Sequence, residues 1–165
     1  MILEIEALIR EASRVEEDAL YSARGHFEAA SLWSKVHLCL GVPAALFATL
    51  AGVSALKDDP VVAVILSIIV ATITAILTFL NPQQRSSTHH TAGARFNIVR
   101  NEARILREVE LVGDRIPTDA VERLKGLSKS RDELNLSSPQ IPRFAFNRAR
   151  RGIESGEAAY AVDKK

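Results

Sequence analysis

The sequence predicts an all-α protein built around a hairpin of two transmembrane helices. Two observations predict this fold. Charged side chains are absent from two long apolar runs in the middle of the chain, and apolar residues recur at helical spacing on both sides of those runs. We expect the long helices before and after the hairpin to be cytoplasmic and to form a bundle. The three parts of this one domain are predicted at 1–35, 36–80 and 81–165.

The two apolar runs, 36–56 and 61–80, are each long enough to cross a membrane. About twenty residues at about 1.5 Å per residue span roughly 30 Å of hydrocarbon. The second run is the more apolar and is expected to insert readily, whereas the first is marginal by itself. The alternative is a soluble bundle with a buried hairpin. That fold needs a charged stripe on each helix, and neither run has one.

The short connection 57–60, which includes Asp58, predicts that the two helices run antiparallel. Asp59 is the predicted N-cap and Pro60 the predicted first helical residue, where its missing N–H leaves no bond unmade. Lysine and arginine are scarcer at this tip than beyond the other helix ends, so the positive-inside rule places both termini in the cytoplasm. Trp33 and Lys35 occupy positions typical of an interfacial aromatic residue and a snorkelling lysine.

Small residues follow one face of the first apolar helix, and such faces let helix backbones approach closely in lipid. Pro43 removes the backbone hydrogen bond to the carbonyl of Cys39 and is expected to kink the helix. Cys39 is the single cysteine, so no intrachain disulfide or cysteine metal cluster is possible. The predicted small face consists of Gly41, Ala45, Ala48 and Gly52.

The second apolar helix carries a polar stripe that consists of Ser67, Thr74 and Thr78. Two interpretations remain open. The hydroxyls line a narrow water-accessible path once several subunits assemble, or they lie on a packing face and bond back to their own helix. The absence of charge from both runs argues against a proton relay or a coupled transporter. Two helices are too few to enclose a path, so any pore must be an oligomer.

Charge and apolar periodicity together predict how the remaining helices pack. Residues 1–35 hold seven acidic and four basic side chains, whereas the chain after Leu80 has an excess of bases. We therefore expect the first helix to pack against basic later helices, in the same or a neighbouring subunit. The later helices are predicted from Pro82 to about Val112, over 118–134 and over 143–154. The predicted packing positions are Ile5, Leu8, Ala12, Val15, Ala19, Ala23, Phe27, Ala30 and Trp33, and then Phe96, Val99, Ala103 and Leu106.

Arginines follow one face of the helix after Pro82. The guanidinium fork matches phosphate oxygens, so this face is a candidate site for a phosphate-bearing ligand. The alternative is a solvated or salt-bridged helix face. The candidate residues, here called the arginine stripe, are Asn97, Arg100, Arg104 and Arg107, with His90 and Gly93 on the same face.

The sequence contains no catalytic constellation. It has no phosphate-binding glycine loop, no zinc-ligand pair at i, i+4 spacing and no nucleophile elbow. His89 and His90 are a weak metal signal, because adjacent side chains on a helix point about 100° apart. We therefore expect a protein that is not an enzyme, uses no cofactor or metal and does not bind nucleic acid directly. The acidic, helical start is also unlike a signal peptide.

Three stretches resemble the SLATT proteins, bacterial two-transmembrane proteins found beside nucleotide-second-messenger and related defence systems. They are FEAASLWSKVHLCLGV, FLNPQQRSSTHHTAGARFNIVRNEAR and SSPQIPRFAFNRARRGIESGEAAYAVD. The resemblance covers essentially the whole chain as a pattern of helices and short phrases. It implies a homo-oligomeric effector of antiviral defence in the bacterial inner membrane, which forms or gates a pore that depolarises or permeabilises the cell. The resemblance carries over no ligand-binding residues.

The chain is expected to have no room for a separate sensor domain. A nucleotide second messenger would then bind the cytoplasmic helices themselves, for example at the arginine stripe, or a separate sensor protein would supply the trigger. The alternative function is a non-conducting membrane scaffold or anchor that recruits a signalling or defence partner.

Overall fold

A computed structural model describes residues 2–57, 59–112, 117–160 and 162, with side chains from Glu4 onward. Asp58, part of the predicted hairpin tip, lies outside the described residues. The described residues are helical without strands, so the all-α prediction is confirmed for them. The helices are α1 (Ile2–Leu56), α2 (Pro60–Leu80), α3 (Pro82–Ile105), a π-helical turn (Leu106–Glu110), α4 (Ala120–Ser137) and α5 (Arg143–Glu154).

The chain divides into two compact units. The first unit combines the chain up to Ala29 with the chain from Thr88 onward, and the second unit comprises Ala30–Ser87. Helix α1 contributes to both units as one continuous helix of 55 residues, and its helical assignment continues through Pro43. The kink predicted at Pro43 stays a prediction.

The core of the first unit forms where α1 packs against α3, the π-helical turn and α4. Helix α1 contributes mainly alanines, and the later helices contribute larger side chains, so the helix axes can approach closely where the small side chains lie. Both predicted packing faces are confirmed, because their members in this unit are buried or half-buried. The core residues are Ala12, Val15, Ala19, Ala23, Phe96, Val99, Ala103, Leu106, Leu111, Ala120, Leu124 and Leu127.

The closest approach between α1 and α3 occurs at Gly93. A Cβ atom at this position would lie 3.0 Å from two ring carbons of Phe27 and 3.2 Å from the carbonyl oxygen of Ala23. One of these neighbours is backbone and cannot rotate away. Glycine is therefore required here by space rather than by backbone conformation.

The π-helical turn explains how the chain buries two leucines five residues apart. The N–H of Leu111 donates to the carbonyl of Leu106 over 3.0 Å, and both leucines lie in the core. The α-helical register predicted to about Val112 changes to a wider one over these residues, since i, i+5 bonding places the two leucines on the same side. The same turn holds Arg107 opposite α1.

Among the described residues, three ion pairs connect acidic side chains of α1 to basic side chains of the later helices. Their N–O distances are each 2.9 Å. The prediction that the acidic first helix packs against later bases is therefore confirmed within one chain. The pairs are Glu16 with Arg107, Asp18 with Arg131 and Glu28 with Arg148.

Helices α4 and α5 differ in how closely their bounds follow the prediction. Helix α5 has the predicted bounds, whereas α4 begins at Ala120 and ends at Ser137 rather than running over 118–134. The N–H of Ala120 donates to the carbonyl of Pro117 over 3.0 Å, so Pro117 and Thr118 form a turn before the helix. The last turn then extends until the chain becomes extended at Ser138, just before Pro139.

Candidate functional site

The turn of the hairpin in the second unit is held by the predicted cap. Asp59 Oδ1 accepts a hydrogen bond from the backbone N–H of Val62 over 3.3 Å, and Pro60 is the first residue of α2. A carboxylate at this position also interacts favourably with the positive end of the helix dipole. The predicted N-cap is confirmed. The connection between the end of α1 at Leu56 and the start of α2 at Pro60 is therefore short.

At its other end, α2 is closed by Asn81, which the sequence reasoning missed. Asn81 adopts the left-handed conformation (φ 42°, ψ 57°), and its N–H donates to the carbonyl of Leu77 over 2.9 Å. Its Oδ1 also accepts from the N–H of Gln84 over 3.4 Å, which caps the start of α3. One asparagine thus ends one helix and begins the next. The Asn-Pro pair was the available signal, because asparagine tolerates this conformation and proline suits a helix start.

Polar side chains join α1 to the chain around Asn81. The guanidinium of Arg85 lies 4.9 Å from the centroid of the Trp33 ring, and its Nε donates to the carbonyl of Leu80 over 2.8 Å. Ser86 Oγ donates to the carbonyl of Ala30 over 2.9 Å. These contacts give Trp33 a specific partner. The end of the hairpin opposite its turn is therefore held by cation–π attraction as well as by apolar packing.

Helices α1 and α2 cover each other along one side only. The covered positions recur at three- and four-residue spacing, and the remaining apolar side chains point outward; Leu38 and Ile68, for example, are 57% and 61% exposed. By length and composition, two helices are apolar enough to cross a membrane, with 11% and 6% of their most apolar windows buried. The covered positions are Leu40, Ala44, Phe47, Ala51 and Ser54 on α1, and Ala63, Leu66, Val70, Ile73 and Leu77 on α2.

The predicted small face of α1 lies beside this covered side. Gly41 is half-buried, and Ala45, Ala48 and Gly52 are exposed. A Cβ atom added to Gly41 or Gly52 would meet nothing within 4 Å. The glycines are therefore not needed for packing inside this hairpin, and the face remains open along α1.

A shallow groove of about 430 Å³ lies between the two helices near the hairpin turn. It brings part of the small face of α1 next to the start of the polar stripe on α2. Gly52 and Ser67 are both among its lining residues, together with alanines and one valine. The groove joins the two features that the sequence singled out on separate helices.

The polar stripe itself is exposed along α2. Ser67 Oγ donates to the carbonyl of Ala63 and Thr78 Oγ1 to the carbonyl of Thr74, each over 2.8 Å. Bonding back to the same helix was one of the two predicted interpretations, and these two hydroxyls have that geometry. The hydroxyl lone pairs remain available to water, so the back-bonds are compatible with either interpretation.

The arginine stripe is divided among three environments rather than forming one cluster. The guanidinium of Arg107 contacts Glu16 through Nε (3.0 Å) and a terminal nitrogen (2.9 Å), as expected of a salt-bridged face. Arg100 and Arg104 instead lie beneath the ring of Tyr160, 5.5 and 4.8 Å from its centroid. Asn97 is half-buried one turn earlier. The edge of His90 contacts the Phe27 ring, at a centroid distance of 5.6 Å.

A buried histidine pair, His26 with His89, connects α1 and α3 and was not predicted. Their Nδ1 atoms are 2.9 Å apart, and His26 stacks on Phe96 at a centroid distance of 5.5 Å. Burial lowers the pKa of His26 to about 4, with the charge of His89 as the second cause. Among the described residues, no group of three potential metal ligands occurs. The two imidazoles share a hydrogen bond that joins the two helices inside the first unit.

No protein-family model, curated protein or solved structure matches this chain. The resemblance to the SLATT proteins accordingly stays a prediction.

Proposed function

We propose that the protein is a homo-oligomeric membrane effector of bacterial antiviral defence, whose hairpins together form or gate a pore. The hairpin crosses the inner membrane with both termini in the cytoplasm, and the remaining helices form a cytoplasmic bundle. The observation that carries the proposal is the outward exposure of apolar side chains around α1 and α2. Lipid is the solvent that suits such surfaces, and a helix can enter it because nearly all of its backbone groups are bonded within the helix.

The exposure also separates this proposal from the soluble alternative. A core helix of a soluble protein is apolar because its neighbours cover it, yet only 11% and 6% of the most apolar windows are buried here. Contiguous apolar surface of this extent on a soluble monomer would promote association. The absence of charged residues from both apolar runs, 36–56 and 61–80, supports the same conclusion.

Assembly is proposed because one hairpin cannot enclose a path for ions. The open small face supports it, since a Cβ atom at Gly41 or Gly52 would meet nothing within 4 Å and such positions permit a second backbone to approach closely. In an assembly that buries this face, the adjacent Ser67 side of α2 would be drawn towards the shared axis. Hydroxyl groups there provide a weakly polar lining without a fixed charge, which suits ion passage with little selectivity.

The resemblance to the SLATT proteins supports the biological role. A pore that stays shut until infection would let the cell grow normally and then collapse its membrane potential when triggered. The trigger is either a nucleotide messenger that binds the cytoplasmic helices or a separate sensor protein.

The rival function is a membrane scaffold that conducts nothing. Ion flux from liposomes that contain the purified full chain discriminates between them, with insertion verified by resistance to alkaline extraction. Thr74→Lys places a charge on the polar stripe. Thr72→Lys is the matched control, because Thr72 is a threonine that is also exposed on α2 but lies off the stripe; its hydroxyl donates to the Ile68 carbonyl over 2.8 Å.

A pore predicts altered ion flux for Thr74→Lys and unaltered flux per inserted chain for Thr72→Lys. Insertion of all three proteins without flux, with and without candidate nucleotides, would favour the scaffold.

A further inference from the structure

Arg100 and Arg104 differ from most other interhelical arginines of the first unit. They lie one helical turn apart on α3, yet neither is paired with a carboxylate in the described part of the chain. Arg107, by contrast, contacts Glu16, and Arg131 contacts Asp18. Among the described residues, two like charges thus stand side by side without a counter-ion, an arrangement that raises the local affinity for anions.

The hydrogen bonding of these two side chains is also incomplete. The Nε atoms of Arg100 and Arg104 are buried, and no described residue is their hydrogen-bond partner. Buried polar atoms in folded proteins are nearly always paired, and an unpaired one often indicates a site completed by another molecule. Both unpaired donors belong to adjacent turns of one helix, so a single small acceptor group could serve both.

The ring of Tyr160 covers both guanidinium groups, at 5.5 and 4.8 Å from its centroid. An aromatic face attracts cations, but it offers Nε–H no oxygen acceptor. The ring itself is 38% exposed, so it forms a lid rather than part of the core.

Tyr160 is the last residue of a short segment after α5, residues 155–160, which is here called the strap. Gly156 adopts a positive φ of 86°, and its N–H donates to the carbonyl of Ile153 while that of Glu157 donates to the carbonyl of Gly152. This is a glycine C-cap that reverses the chain direction. Beyond this cap, Ser155 Oγ donates to the carbonyl of Gly152 and the N–H of Ala159 to that of Gly156, and Arg24 donates to the Glu157 carbonyl over 3.4 Å.

We propose that Arg100 and Arg104 bind the phosphate of a nucleotide, and that Tyr160 occupies this site until the nucleotide displaces it. Phosphate oxygens supply the acceptors that both Nε–H groups lack, and two guanidinium groups offset its charge. The base takes the place of the Tyr160 ring against the guanidinium planes. The half-buried Asn97 lies on the same face one turn earlier and adds an amide near the site. Binding does not require the hairpin to conduct ions, so this proposal stands or fails separately from the pore.

The test is equilibrium dialysis of the full chain in zwitterionic detergent against ATP, cyclic di-GMP and inorganic pyrophosphate. At least one nucleotide is expected to bind with a Kd below about 1 mM. Arg100→Gln and Arg104→Gln should each weaken that binding by about tenfold or more, because a charge-assisted contact is lost. Arg95→Gln, at an exposed position on the same helix, should leave it unchanged, with circular dichroism as the check on folding.

Tyr160→Leu should tighten nucleotide binding several-fold, because the competing ring is removed. Hydrogen exchange should show the strap amides of Glu157 and Ala159 losing protection when the nucleotide binds. The proposal is overturned if no probe binds below about 1 mM or if the arginine variants bind as the unaltered chain does. If pyrophosphate binds as tightly as both nucleotides, the base contributes nothing to binding, and its proposed role is overturned. Displacement of bound nucleotide by phosphatidylglycerol added to the detergent would identify a lipid headgroup as the source of the phosphate instead.

Discussion

His26 on α1 and His89 on α3 share a buried hydrogen bond, with their Nδ1 atoms 2.9 Å apart. One imidazole must carry its proton on Nδ1, and the other must accept there, so the two rings hold different tautomers when both are neutral. His26 is only 2% exposed and stacks on Phe96. The contact between α1 and α3 therefore includes an imidazole whose pKa burial holds well below its ordinary value.

The lowered pKa of His26 predicts that the folded protein loses stability in mild acid. Burial and the charge of His89 lower the pKa of His26 to about 4, whereas the unfolded side chain has a pKa of 6.5. As pH falls from 6.5 towards 4, His26 binds a proton in the unfolded chain but stays neutral in the native chain. The free energy of unfolding should therefore decline across this window by roughly 3 kcal/mol. Denaturant unfolding in detergent at several pH values measures it.

Two variants test whether His26 is the source of that pH dependence. His26→Asn retains a polar group near the Nδ1 position but does not titrate, so the decline between pH 6.5 and 5 should shrink. His90→Asn should keep the decline, because His90 is exposed and lies outside the buried pair, where its ring packs edge to face with that of Phe27. An unchanged decline in His26→Asn would assign the effect to other groups.

Gly93→Ala should destabilise the first unit by about 1 kcal/mol. The added methyl group lies 3.0 Å from the Phe27 ring and 3.2 Å from a backbone oxygen, and overpacking of this kind outweighs the better helix propensity of alanine. Gly126→Ala on α4 is the control, because its Cβ would meet nothing within 4 Å. That variant should gain about 0.5–1 kcal/mol. Equal stability of the two variants would mean that α1 and α3 are not in close contact at Gly93.

The ion pair of Glu16 with Arg107 should contribute more than an exposed pair on the same helix. Its side chains are 16% and 29% exposed, whereas those of Glu6 and Arg10 are 54% and 62% exposed at an N–O distance of 3.5 Å. Glu16→Gln is expected to lower the free energy of unfolding by about 1–2 kcal/mol and Glu6→Gln by less than about 0.5 kcal/mol. Thermal unfolding of both variants at two salt concentrations provides the comparison.

Gly52→Leu should disrupt assembly while leaving the hairpin intact. A Cβ atom at Gly52 would meet nothing within 4 Å, and the groove beside it leaves room for a longer side chain, so we expect any penalty to come from a second subunit. Val53→Leu is the control, since Val53 is exposed on a neighbouring face. Light scattering of the detergent-solubilised protein should show a smaller assembly for Gly52→Leu alone. An unchanged subunit number would exclude the small face from the interface.

Local signals in the sequence predicted the parts of the fold that depend on local chemistry. Asp59 and Pro60 mark the start of α2, and Arg143 follows a proline where α5 begins. The packing faces of α1 and α3 were also predictable, because a helix that buries one side must repeat its apolar residues.

The features that the sequence did not predict depend on contacts between distant residues. His26 and His89 are 63 residues apart, and no local pattern indicates that their rings meet. The division of the arginine stripe likewise depends on Glu16 and Tyr160, which reach it from opposite ends of the chain. The π-helical turn is favoured because it buries Leu111 with Leu106, which is a property of the assembled core.

The proposed pore requires the polar stripe of α2 to line a water-filled path. The most direct measurement is the reaction rate of a charged, membrane-impermeant thiol reagent with single cysteines in the membrane, on a Cys39→Ser background. We predict rapid modification of Thr74→Cys and Thr78→Cys and slow modification of Thr72→Cys, which is expected to face lipid. Equal, slow rates at all three positions, with and without nucleotide, would contradict the pore and leave the hairpin as an anchor.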